Sequence, residues 1–207
     1  MRKSFLIIPL FILPLLGFNQ EINTLAAYNE FYNGLEKSKS ANYSEAIKHF
    51  ESAIEIDSTY KEAYLRMASM EYNLNNTRCA IDILDKIIGI ESNYASAYHN
   101  RGFFKSTINN YVGAIEDYTK ALEIDPDNVC HTMRGDMKYN IGDYSGAIAD
   151  YTYYIDSTPY NMEEDPDAYF ARGKAYREIK NNEAADLDFK KANELYFPAG
   201  SFDNVKK

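Results

Sequence analysis

An all-α repeat fold is what these 207 residues predict, and three observations carry the prediction. Four segments end alike: AIKHFESAIEID from Ala46, AIDILDKIIGIE from Ala80, AIEDYTKALEID from Ala114 and AIADYTYYIDST from Ala147. Their leading alanines are 34, 34 and 33 residues apart, and a fixed period of that size marks a repeat architecture. A small residue also recurs upstream of each segment and once more beyond them, at Gly34, Ala68, Gly102, Gly135 and Gly173, in steps of 34, 34, 33 and 38. Within a copy the apolar residues keep helical spacing. Ala46, Ile47, Phe50, Ala53 and Ile54 fall at i, i+1, i+4, i+7 and i+8, the stripe of an amphipathic helix.

Residues 1–19 stand apart from this pattern. Arg2 and Lys3 precede an uncharged apolar run from Phe5 to Phe18, and polarity returns at Asn19, Gln20 and Glu21, the order of a secretory signal peptide. A run of 14 residues is short of the ~20 needed to span a bilayer core, and Pro9 and Pro14 interrupt it, so cleavage is preferred to a retained anchor. Gly17 and Asn19 would place the cut before Gln20, whereas Thr24 and Ala26 would place it before Ala27. Cleavage would leave no stable membrane span. A cut before Gln20 would also remove Arg2 and Lys3 and nothing acidic, moving the formal charge from −9 to −11. The first cysteine, Cys79, is too distant from the run to carry a lipoprotein anchor. The expected location is therefore periplasmic or extracellular, with envelope association as one form of it.

From residue 27 to residue 197 each copy reads as two helices. The small residue lets them approach closely, since a larger side chain there would hold them apart. Asn42, Asn76, Asn110, Asp143 and Asn181 recur between the helices, where Asn and Asp satisfy free backbone donors and tolerate turn geometry. Pro126 and Pro159 stand where a second helix must stop. A fifth, weaker copy carries Ala185, Phe189 and Ala192. The pattern resembles the tetratricopeptide repeat, matched in the third copy by Tyr98, Gly102, Ala114, Tyr118, Ala121 and Pro126, with Tyr where Trp is frequent in the family. That resemblance implies a right-handed α-solenoid of antiparallel helix pairs, a superhelix of about five copies, leaving 198–207 as a polar tail.

Two copies deviate informatively. The fourth is one residue short before its glycine, so its first helix is expected to start late or to be slightly displaced. Four extra residues, Met162 to Asp165, precede the fifth and read as a surface loop. In the fifth copy Asp186 replaces the column of Ile47, Ile81, Ile115 and Ile148, and Asn193 that of Ile54, Ile88, Leu122 and Ile155. A polar outer face is what the last unit of a solenoid needs.

Composition and motifs argue against chemistry. With 31 acidic against 22 basic residues and a pI near 4.9, the chain repels phosphate backbones, so nucleic acid is not expected as a partner. No H-E-x-x-H, G-x-S-x-G or glycine-rich phosphate loop occurs, and no cofactor, metal or catalytic residue is assigned. His49 falls in a column with Ile83, Asp117, Asp150 and Asp188, read as mostly a solvated face, and His131 in the packing column of Tyr64, Tyr98 and Tyr169. Cys79 and Cys130 occupy mostly small-residue columns in different copies and read as small structural hydrophobes, not as a disulfide.

What remains is a surface. If the first helices line the concave side, as the resemblance implies, that side carries Phe31, Leu35, Leu65, Tyr72, His99, Phe103, Tyr139, Phe170, Lys174 and Arg177. Aromatics on a face that should be solvated point to a contact surface for an extended peptide or a helix of a partner protein. The Lys and Asn clamp with which some members of the family bind C-terminal carboxylates does not carry over, because Phe31, Leu65, His99 and Phe103 stand in its place. The expected function is a non-catalytic protein-binding scaffold or adaptor. The competing reading is a self-assembling component of an envelope-associated complex, joined through the uncapped first copy.

Overall fold

The computed structural model describes residues 12–126, 129–157 and 164–197, and all ten regular elements among them are helices. The chain divides into two compact units. The first, Met1–Ser92, contains α1 (Ile12–Lys39), α2 (Tyr43–Ile56), α3 (Lys61–Asn73) and α4 (Thr77–Ile90). The second, Asn93–Lys207, contains α5 (Ala95–Thr107), α6 (Tyr111–Ile124), α7 (Cys130–Asn140), α8 (Tyr144–Ser157), α9 (Pro166–Glu178) and α10 (Asn182–Tyr196). Within each unit successive helices pack on one another as antiparallel pairs, and in the second unit α7 also touches α9. The proposed signal segment lies mostly outside the described residues, as do Pro159, Met162, Glu163 and the polar tail. From Ile12 the backbone is already part of α1, and no described helix is long and apolar enough to cross a membrane.

The small column does what its spacing predicts. A Cβ added at Gly34 would lie 2.6 Å from the ring of Phe50, at Gly102 2.9 Å from Tyr118, at Gly135 2.8 Å from Tyr151 and at Gly173 2.8 Å from Phe189. Each glycine on a first helix thus receives an aromatic ring from the second helix, 16 residues later. The second copy solves the same packing problem differently, with Ala68 and Leu84, both fully buried. Among the tyrosines, Tyr64, Tyr98, Tyr118 and Tyr151 are buried framework, while Tyr28, Tyr32, Tyr153 and Tyr196 are exposed.

The turns inside the pairs depart from the expectation in one respect. The left-handed residue is the one before the Asn or Asp: Ala41, Asn75, Asn109, Gly142 and Lys180 all have positive φ. The following side chain caps its helix in three of the five turns. Asn110 accepts from Gly113 N at 3.1 Å, Asp143 from Gly146 N at 2.9 Å and Asn181 from Ala184 N at 3.3 Å. In the other two no side-chain cap forms: Asn42 Nδ2 donates to Glu45 Oε2 and Asn76 Nδ2 to Glu71 Oε2. As the short spacing predicts, α7 starts late, five residues before Gly135, whereas α5 and α9 start seven before their glycines. Asp186 and Asn193 are exposed, in contrast to buried Ile47 and Leu122 of the same columns.

Candidate partner-binding face

Three first helices of the second unit are fixed to their partners by buried ion pairs. Arg101 donates to Asp117 through Nε and Nη2 at 3.0 and 2.6 Å, Arg134 to Asp150 at 3.0 and 2.6 Å, and Arg172 to Asp188 at 2.8 and 2.8 Å. Lys105 and Lys138 add a second cation to Asp117 and Asp150 at 2.8 and 2.9 Å. Arg134 and Arg172 also reach back to Thr119 and Thr152 on the preceding second helix, both at 3.2 Å, so each guanidinium ties one pair to the next. The column of Asp117, Asp150 and Asp188 is therefore not a solvated face: all three are buried. A carboxylate tolerates that burial here because a bidentate Arg meets it. The sequence signal for this is a pair of columns that change together. Arg faces Asp in copies three to five, Met67 and Ile83 replace both in copy two, and Asn33 and His49 replace both in copy one, where His49 Nδ1 lies 2.7 Å from Glu30 instead.

Held in this way, the first helices present the candidate residues differently in the two units. In the first unit Phe31 stacks against Phe50 and Tyr60, with ring centroids 5.6 and 5.0 Å apart, and Phe31 and Leu35 pack on the core cluster of Ala46, Ile47, Phe50 and Met70. Leu65 and Tyr72 on α3 are half-buried. In the second unit His99 is half-buried with its ring edge-on to Tyr118, and burial holds its pKa below the usual 6.5. Phe103 and Phe170 are exposed, at 38% and 45%. The structure brings together Tyr139, Phe170 and Lys174: the ammonium lies 5.4 Å from the Tyr139 ring centroid and 5.6 Å from that of Phe170. Arg177 turns to α10, where it donates to Asp186 at 2.6 Å and covers the Phe189 ring at 5.2 Å.

Between α7 and α9 lies a cavity of about 290 Å³, lined by Thr132, Asp136, Tyr151, Asp165, Asp167, Ala168, Phe170, Ala171 and Lys174. Its polar groups are ordered from behind. Tyr151 donates to Asp136 Oδ1 at 2.6 Å, Tyr154 to Asp165 Oδ2 at 3.3 Å, and Tyr196 to Asp167. Asp165 also caps α9 by accepting from Asp167 N at 2.9 Å. The close surroundings of the Asp136 carboxyl raise its pKa, against the opposing pull of the Tyr151 hydroxyl and Lys174. Asp136 follows Gly135 on α7, whereas Asp165 and Asp167 are delivered by the loop before α9 and its first turn.

The remaining polar candidates have structural surroundings. His131 stacks on Tyr153 with centroids 4.0 Å apart, its Nε2 is 3.3 Å from Pro126 O, and burial lowers its pKa. Cys130 is buried and its thiol is pushed up to about 12, whereas Cys79 is exposed on α4 and so is not a packed small hydrophobe. Both are free thiols. Among the described residues no group of three or more His, Cys, Asp or Glu side chains could hold a metal ion.

Comparison with known proteins follows the same lines. Two tetratricopeptide-repeat family profiles match, one over residues 95–128 and the other over 166–197. Among solved structures the chain is similar to MamA, at 22% identity over 79% of this chain and 94% of that one, with a TM-score of 0.71. It is similar to YrrB, described as a TPR protein with an unusual peptide-binding site, at 18% identity over 80% and 84%, with a TM-score of 0.68. The first TPR of Spaghetti (RPAP3), solved with a bound HSP90 peptide, matches at 20% identity over 57% of this chain and 95% of its own, with a TM-score of 0.55. No curated protein sequence matches.

Proposed function

Since the chain is a tetratricopeptide-repeat protein, we propose that it is a non-catalytic scaffold or adaptor that takes a peptide or helix of a partner protein on the face of its first helices. The observation that carries this reading is the exposure of Phe103 and Phe170 on α5 and α9, the latter beside a cavity whose polar groups are fixed by tyrosine hydroxyls. Large apolar groups left in water on one face are characteristic of contact surfaces. Two structural neighbours point the same way, one named for its peptide-binding site and one holding an HSP90 peptide. Export is part of the proposal and rests on the order of charge and apolar run in residues 1–19. Affinity capture with the wild-type chain and with a Phe31→Ala, Phe103→Ala, Phe170→Ala triple variant tests the face: partner binding is lost in the variant, and unchanged capture removes the face from consideration. N-terminal sequencing of the protein from cells tests export, with Gln20 or Ala27 expected as the first residue.

One observation favours the competing reading of self-assembly. Ile22, Leu25, Tyr28 and Tyr32 are exposed along α1, the outermost helix of the first unit. Light scattering over a concentration series separates the readings, because a monomer at every concentration excludes assembly as the main role.

A further inference from the structure

Resting on the proposed peptide-binding role, we propose that the cavity between α7 and α9 seats a basic side chain, Lys or Arg, of the partner's peptide, and that the chain thereby selects basic over acidic segments. Three carboxylates, Asp136, Asp165 and Asp167, line this cavity against the single ammonium of Lys174. Asp136 comes from α7, Asp167 from the first turn of α9 and Asp165 from the position that caps α9, so the negative charge converges on a concave space. At about 290 Å³ that space sits near the lower end of small-ligand pockets, which run from ~300 to ~1,000 Å³, and suits one long side chain. Its wall includes an aliphatic and aromatic strip, Ala168, Ala171 and the exposed ring of Phe170, on which the methylene stem of Lys or Arg can lie while the head group reaches the carboxylates. The chain's own Lys174, resting over the Phe170 and Tyr139 rings, shows that this ring pair already receives a cation.

The positive end of α9 does not reverse the sign of the site. Asp165 answers the helix terminus by capping Asp167 N, and the helix charge of about one half unit is smaller than the two carboxylates standing on it. Tyrosine hydroxyls hold all three carboxylates in place without neutralising them. An incoming cation therefore meets preorganised acceptors and loses little side-chain freedom in ordering them. An acidic peptide would meet uncompensated negative charge at the same place.

Fluorescence anisotropy with the full chain tests this. The probe is a labelled nonapeptide, Gly-Arg-Lys-Phe-Gly-Arg-Lys-Phe-Gly, with twins in which every cation becomes Gln or Glu. The basic probe is expected to bind at least ~10-fold more tightly than the Gln twin, the size of one or two charge-assisted contacts. Asp136→Asn, which keeps an acceptor for Tyr151, and Asp136→Asn with Asp167→Asn should each weaken it on the order of tenfold or more, with circular dichroism confirming the fold. Glu123→Gln, on the exposed side of α6, should leave it unchanged. A Gln or Glu twin that binds equally well and loses affinity in Phe170→Ala overturns the basic seat and leaves the peptide-binding face standing. Failure of any probe, and of a panned random decapeptide library, to bind overturns both. A gain in affinity when Lys206 and Lys207 become Ala assigns the seat to this chain's own tail and overturns a partner as its occupant.

Discussion

Replacing Gly34 by Ala isolates the packing rule on which four of the five helix pairs are built. In an ordinary helix interior the change stabilises by about 0.5–1 kcal/mol, because Ala loses less backbone entropy than Gly. Here the new methyl would meet Phe50 Cε1 at 2.6 Å, Cδ1 at 2.8 Å and Cζ at 3.0 Å. Phe50 cannot retreat: it is fully buried in the cluster with Ala46, Ile47 and Met70, with Phe31 stacked on it. Relieving such a contact by shifting rings or helices costs about 1–3 kcal/mol, so the propensity gain is outweighed and a net loss of about 1–2 kcal/mol follows. The second copy supplies the compensating change, with Ala68 in the glycine column and Leu84 in the ring column sixteen residues later, both fully buried. Phe50→Leu alone should cost about 1–2 kcal/mol from lost ring contacts. The double variant should lose less than the sum, with a coupling of about 1 kcal/mol or more. Urea unfolding followed by circular dichroism for the four proteins of the cycle measures this. A Gly34→Ala midpoint equal to or above wild type, or a double variant that is simply additive, would refute the claim that ring against glycine sets the helix spacing.

Three further outcomes are expected. Asp150→Ala leaves Arg134 and Lys138 without their carboxylate and should cost about 3 kcal/mol, whereas Arg134→Met with Asp150→Ile, copying Met67 and Ile83, should be neutral or stabilising by about 1–4 kcal/mol in urea denaturation. His99 and His131 both have folded pKa values below the usual 6.5, so the unfolded chain takes up protons first. Stability should be complete above about pH 6.5 and fall as pH drops from there toward their folded values, and His99→Gln with His131→Gln should flatten denaturation midpoints compared between about pH 7.5 and 5.5. Thiol alkylation followed by mass spectrometry should label Cys79 alone in the folded protein and Cys130 only in denaturant, because Cys130 is buried with its thiol pushed up to about 12; rapid native labelling of both would contradict that burial.

The period, the helix pairs and the glycine column are legible in the sequence because each is a local property repeated several times, and repetition averages out the noise of any one copy. The late start of α7 is legible for the same reason, as a missing residue against a fixed ruler. The ion pairs are not legible from single columns. Asp117, Asp150 and Asp188 look like surface residues until Arg101, Arg134 and Arg172 are set beside them at a constant separation of 16 residues. Side-chain caps do not form at Asn42 and Asn76, whose amides donate to Glu45 and Glu71 instead, a competition that residue preference at the cap position does not reveal. On the candidate face, helical register put Phe170 and Lys174 on the first-helix side, while their meeting with Tyr139 of α7 depends on packing between pairs. Register could not assign Arg177, whose long side chain reaches away to Asp186, or anticipate that the loop before α9 brings Asp165 to the same cavity.

The change from Met67 and Ile83 to Arg and Asp falls between the second and third copies, where the chain also divides at Ser92 and Asn93. In these columns the first unit carries Met67 with Ile83 and Asn33 with His49, beside an apolar cluster around Phe50, whereas the second unit adds a buried Arg–Asp bridge at every pair. These two kinds of cohesion answer temperature in opposite ways. Apolar burial loses strength on cooling, while the hydration that opposes ion pairing weakens on warming. Cold should loosen the first unit ahead of the second, and heat should narrow or reverse the second unit's handicap of buried charge. A single chain of one repeat thus carries two thermal characters, written in one pair of columns.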